Sequence, residues 1–233
     1  VKSNWVYECF LFELKVTLLR ESERSILCQA HPATPADLAW IFQLEIDAYS
    51  AQYAVARQTL DRWYDSNPGG FSILTMNGRR IGHLTIVPLH PKILDSFVQG
   101  TILEQDIKAD CLYRPEAKQL VQNLYFESII IDSARGHSIL PIKALTRLAH
   151  DFVPLISRVC EPRNLETVYA LAASGRGERF MQALGFGMVR SGQERADQRS
   201  LYAAKFGTLS DNISELYDRR LRKSGSVEVQ SSG

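Results

Sequence analysis

Arg135 and Gly136 follow an apolar run, in the stretch "IIIDSARGHSILPIKAL" of residues 129 to 145. Three consecutive isoleucines, stiff at χ1, favour a buried strand, while Ile142, Leu145, Leu148, Ala149 and Phe152 recur at helical spacing. Strand, short loop and helix are expected here, and such a junction can hold an anion. The first amides of a helix lack intrahelical partners and point along the positive end of its dipole. Arg135 adds a donor-rich cation, and Gly136 allows close approach to the backbone. The competing reading of the same residues is an Arg-Gly pair that only turns a corner.

The elements that must position this junction are readable at several points. "SILCQA" alternates as a strand, and "TPADLAWIFQLEIDAY" begins a helix with Thr34 as cap, Pro35 in the first turn and Asp37 as the capping-box acid. Leu38, Ile41, Phe42 and Glu45 or Ala48 describe its largely apolar face. A second helix is expected over about residues 54 to 65. "FSILTMNGRRIGHLTIVPL" reads as a hairpin around Asn77 and Gly78. Residues 88 to 122 form an irregular, proline-containing connection, expected to hold at least one helix and part of a substrate wall. A central strand at 124 to 131 and a helix at 138 to 152 follow. "LETVYALAA" then reads as a strand, "GERFMQALGF" as a helix closed by Gly185, and residues 186 to 190 with 201 to 206 as a terminal hairpin. Residues 1 to 23 read as an extension, and the pattern weakens after residue 207 toward a mobile Ser/Gly-rich end.

Composition narrows the function classes. A chain of 233 residues with 45% hydrophobic content supports one sizeable core. The formal net charge of +1 offers no global attraction to nucleic acid. Nothing approaches the roughly 20 uninterrupted apolar residues of a membrane span, and no signal peptide is read near the start. Cys9, Cys28, Cys111 and Cys160 are too scattered for a metal cluster, which fits free thiols and a cytoplasmic location. No GxSxG elbow, Walker lysine or complete dinucleotide fingerprint is present.

The order of these elements, with two local phrases, resembles the GCN5-related N-acetyltransferase (GNAT) superfamily over roughly residues 24 to 206. "RGHSIL", residues 135 to 140, resembles the family's Arg/Gln-x-x-Gly-x-Gly/Ala pyrophosphate loop, with Ser138 and Leu140 at its glycine positions. "SGRGERFMQALGF", residues 174 to 186, is similar to Asn-x-x-Ala-x-x-x-Tyr-x-x-x-Gly-Phe, with Ser174 for the Asn, Gly177 for the Ala and Met181 for the Tyr. The family's tyrosine protonates the departing thiolate; methionine has no proton to give.

The resemblance implies an α/β fold with a mixed, mainly antiparallel central sheet flanked by helices, carrying an insertion at 88 to 122. It implies N-acyl transfer from acetyl-CoA or another acyl-CoA to a small-molecule or peptide amine, by direct attack, in a monomer or homodimer. Two central parallel strands then splay apart. Strand amides of Ile129, Ile130 or Ile131 would polarise the thioester, Ile130 or Ile131 being the nearest, while Arg135, Gly136, His137, Ser138, Ile139 and Leu140 would hold the pyrophosphate, with Ser174 contributing.

Glu127, expected to share a face with Ile129 and Ile131, is the first choice for general base, its pKa raised by burial; a salt-bridged or edge glutamate is the alternative. His83 is a second base candidate or a core histidine. Tyr202 is the candidate acid or a packing residue. An acyl carrier protein as donor, and a catalytically degenerate binding module, are the competing functions.

Overall fold

The computed structural model describes residues 28–50, 53–132 and 147–229. A seven-stranded sheet runs through them in the order β1-β2-β3-β4-β5-β7-β6. Its strands are β1 (Cys28–Pro32), β2 (Phe71–Met76), β3 (Arg79–Val87), β4 (Asn123–Ile131), β5 (Thr167–Leu171), β6 (Gly187–Arg190) and β7 (Leu201–Lys205). All neighbours are antiparallel except β4 and β5. The helices are α1 (Leu38–Tyr49), α2 (Arg57–Ser66), α3 (Pro91–Gln99), α4 (Phe152–Ile156), α5 (Gly175–Ala183) and α6 (Phe206–Val229). The mixed, mainly antiparallel sheet flanked by helices is the expected fold class.

Local chemistry accounts for the early elements. The Thr34 amide and hydroxyl both donate to Asp37 Oδ2, at 2.8 and 2.7 Å, so the capping box closes over a 3-10 turn, Pro35–Asp37, that leads into α1. Arg80 of β3 reaches Asp37 Oδ1 at 2.6 Å, which ties the helix start to the sheet. Asn77 and Gly78 have φ of 51° and 76°, the paired left-handed values of a two-residue hairpin turn between β2 and β3. The connection at 88 to 122 contains α3 and several 3-10 turns. Residues 206 to 229, weak in sequence pattern, form the helix α6.

Two apolar layers cover the sheet. On one face Leu74, Leu84, Phe126, Val168 and Tyr202 pack with Phe152, Met181 and Leu209 from α4, α5 and α6. On the other, Phe71, Ile73, Val87, Tyr125 and Leu201 pack with Ile41, Leu60, Trp63 and Phe97 from α1, α2 and α3.

The central strand departs from simple alternation at one position. Thr85 pairs with Ser128 and Ile86 with Phe126, which leaves Glu127 as an extra residue in β4. Such a bulge shifts the pleat by one. Ser128 and Ile130 therefore lie with His83 on the α1 side, whereas Ile129 pairs with Leu84 and Ile131 packs on the opposite layer. The expectation that Glu127 shares a face with Ile129 and Ile131 is thus corrected: a period of two holds only while no residue is inserted.

Candidate active site

The parallel ladder between β4 and β5 runs from Asn123 opposite Thr167 to Phe126 opposite Ala170 and ends there, while β4 continues to Ile131. The two strands part at the bulge. Beyond it, the Asp132 amide donates to the Ile81 carbonyl at 2.7 Å, which sets the phase of the β3 ladder. Backbone groups alternate edges along a strand. Ser128 and Ile130, in step with Asp132, turn their amides toward β3, and Ile129 and Ile131 turn theirs to the edge that β5 has left. Of the two amides expected nearest the reacting carbonyl, Ile131 faces the opening. Ile130 is corrected out of that role, because its amide is directed into the ladder with His83.

Against this opening lies a group of titratable side chains from five segments. Glu45 and Tyr49 come from successive turns of α1, Glu104 from the connection after α3, His83 from β3, Glu127 and Tyr125 from β4, and Arg199 from the loop before β7. Ser128 joins them. Its Oγ lies 3.5 Å from Glu45 Oε1 and 3.4 Å from His83 Nδ1. Glu104 accepts a bond from the Tyr125 hydroxyl and pairs with Arg199 at 2.9 Å.

Glu127 is half-buried as a residue, yet its Oε2 is shut off from solvent and has no hydrogen-bond partner among the described residues. Burial first, then the Glu104 carboxylate, pushes its pKa up to about 8, against the opposing pull of the Ser128 hydroxyl and Arg199. Glu45, with no exposed surface, is raised well above the usual carboxyl range by burial and by Glu127 and Glu104. Tyr49 and Tyr125 are raised for the same reasons.

His83 is fully buried, and burial lowers its pKa to about 3. Its Nδ1 is also 3.4 Å from Thr85 Oγ1, and its Nε2 stands 3.7 Å from Glu45 Oε1 without a hydrogen bond. The imidazole is therefore neutral, and an acceptor whose conjugate acid has so low a pKa is a poor proton sink at neutral pH. His83 and Glu127 are brought into one cluster; Tyr202 is not. It lies in the opposite layer, which also holds Met181, and burial, with the bond it donates to the Glu178 carboxylate of α5, raises its pKa to about 12. Ser174 caps α5, its Oγ accepting from the Gly177 amide at 3.2 Å. Arg135, Gly136, His137, Ser138, Ile139 and Leu140 lie outside the described residues.

Glu45, Tyr49, Glu104, Ser128 and Arg199 were not singled out by chemistry in the sequence. Glu45 had a signal, an acid at a helical position otherwise apolar. Tyr49 follows it one turn later. Glu104 and Arg199 sit in connections, and no local spacing announces their meeting.

No family model and no curated protein matches the sequence. Solved structures do match the fold. The loading GNATL domain of CurA from Lyngbya majuscula is 13% identical, with a TM-score of 0.53 over 78% of this chain and 98% of that one. The GNAT-like decarboxylase GphF, in complex with isobutyryl-CoA, is 16% identical, with a TM-score of 0.50 over 76% of this chain and 99% of that one. With its sheet order, its parted β4 and β5 and these structural matches, the chain has the fold of the GCN5-related N-acetyltransferases.

Proposed function

We propose that the protein is an N-acyltransferase that uses an acyl-CoA thioester, and that Glu127 is its general base. The observation that carries this reading is the coincidence at one position of the parted strands, the outward-facing amides of Ile129 and Ile131, and a carboxyl raised to about 8. An amine nitrogen attacks the thioester carbonyl, and the two amides stabilise the charge that grows on its oxygen. The amine proton passes to Glu127, directly or through a water. The carbon–sulfur bond then breaks and the thiolate leaves with the electron pair. Arg135 and its loop supply the pyrophosphate contacts.

Thiol release should be followed with acetyl-CoA and isobutyryl-CoA over a panel of amines, with product masses measured and a carrier-linked thioester as a further arm. Transfer to nitrogen that falls at least about a hundredfold in Glu127→Gln supports the reading. Activity with the carrier-linked thioester alone would change the donor. A second reading, CoA binding without turnover, is favoured by one observation: Met181 lies in the apolar layer and the Tyr202 hydroxyl is committed to Glu178. Binding of acyl-CoA with no thiol release over the whole panel selects it.

A further inference from the structure

The charged groups around the opening divide into two sets. Arg195 pairs with Asp197 at 3.1 Å, and Arg199 pairs with Asp197 at 3.4 Å and Glu104 at 2.9 Å. Two guanidiniums face two carboxylates, so this set is neutral. Glu45 and Glu127 form the other set, and among the described residues neither has an ion pair with a lysine or arginine. Two neighbouring buried carboxyls without a cation of their own hold at most part of their charge.

Hydrogen bonding leaves the same place incomplete. Among the described residues Glu45 Oε2, Glu127 Oε2 and His83 Nε2 are buried without hydrogen-bond partners, and both Glu45 and His83 have no exposed surface. Ser128 Oγ reaches Glu45 and the His83 ring, and Glu127, the residue before it in β4, acts on Glu45 electrostatically, so the unpartnered atoms belong to neighbouring groups. When Nδ1 carries the imidazole proton and both carboxyls are ionised, all three of those atoms are acceptors. A primary ammonium offers three N–H donors and no acceptor, which matches them in number and charge.

We infer that the acceptor is an alkylamine with no carboxylate beside its nitrogen, recognised as its ammonium between Glu45 and Glu127 and shedding one proton to solvent before it attacks, and that Glu45 selects it. The word acceptor rests on the acyltransferase reading; the cation site does not. An amino acid would bring its own carboxylate against Glu45, Glu104 and Glu127 and be rejected. A free diamine and a lysine side chain carry the same chemistry. The groups that face the site are Glu45 and Tyr49 from α1, His83 from β3, Tyr125 and Glu127 from β4, Glu104 from the connection after α3, and Arg199 from the loop before β7.

Titration calorimetry on the whole chain tests this without acyl-CoA, using 1,4-diaminobutane, Nα-acetyllysine amide, alanine and alanine amide. Each is run at pH 7 and pH 9 in two buffers of different ionisation heat. Alkylammonium binding should release protons at pH 7, since it drives the shared carboxyls to ionise, and release fewer at pH 9. Alanine amide should bind at least about tenfold more tightly than alanine, and Glu45→Gln should weaken diaminobutane by about tenfold to a hundredfold. The relative affinities of diaminobutane and Nα-acetyllysine amide distinguish a free amine from a peptide side chain. Equal binding of alanine and its amide in the wild-type chain overturns the inference, as does the absence of alkylamine binding; neither result depends on a variant folding. Thiol release to other nucleophiles with those results leaves the transferase standing and removes the cation site. Proton-linked amine binding without thiol release over the donor panel does the reverse.

Discussion

Arg199 Nη2 lies 2.9 Å from Glu104 Oε2, and both side chains are largely buried, with 16% and 4% exposure. Glu104 also accepts from Tyr125 and repels Glu127. Arg199→Met should therefore leave a buried carboxylate without its cation and lower stability by about 3 kcal/mol in urea unfolding. Adding Glu104→Gln should recover part of that loss, because the second change removes the stranded charge. Additive effects would show that the two residues do not act as a pair.

The rate of transfer should carry the titration of Glu127. Its base form increases as pH rises toward about 8, so kcat/KM should climb close to tenfold per pH unit below that value and level above it. Glu127→Gln should lose this limb when one acceptor is compared over one pH range. A variant that keeps both the rate and the limb excludes Glu127 as base and assigns the titration to the acceptor ammonium.

Stability should have an acidic optimum. Glu127 moves from 4.5 to about 8 on folding, so its contribution is complete below pH 4.5 and is lost as pH rises through about 8. His83 moves from 6.5 to about 3, so its contribution is complete above pH 6.5 and is lost as pH falls through about 3. Thermal unfolding from pH 3 to 9 should therefore peak between these limits. Glu127→Gln should flatten the alkaline limb by about 1–3 kcal/mol, and an unchanged limb would place the carboxyl in an ordinary environment.

Gly82 tests the backbone rather than the charges. A Cβ there would sit 2.4 Å from the Ile130 carbonyl oxygen, across the ladder that aims the Ile129 and Ile131 amides. Gly82→Ala should destabilise by about 2 kcal/mol and lower the transfer rate even in the fraction that remains folded. Gly187→Ala, on an edge strand where a Cβ meets nothing within 4 Å, is the control and should stay within about 0.5 kcal/mol of the parent.

What was legible in the sequence is what local chemistry determines. Thr34 with Asp37, and Asn77 with Gly78, specify a helix entry and a hairpin within a few residues, and both are present. The splayed strands followed from the GNAT resemblance instead. The bulge was not legible, because an inserted residue in "LYFESIII" leaves the apolar composition unchanged and is exposed only by the partner strand. Glu104 and Arg199 are 95 positions apart by their numbers and meet through tertiary packing alone. Glu45 was visible as an acid on an apolar helix face, but its neighbours were needed to give it a meaning. The phosphate loop at Arg135 lies outside the described residues.

The surplus residue in β4 also separates two experiments that would otherwise be taken as one. Replacing Glu127 by glutamine subtracts an ionisable proton and keeps the strand's contour length. Deleting position 127 shortens that contour by about 3.3 Å, one strand rise, and makes Phe126 and Ser128 consecutive opposite Ile86 and Thr85, the partners they already have. Every side chain from Ser128 to Ile131 would then keep its layer, the serine still toward Glu45 and His83, while the carboxyl and the bulge are lost together. At this position the identity of the residue governs proton traffic, whereas its mere presence supplies the bulge that bends β4 where it parts from β5.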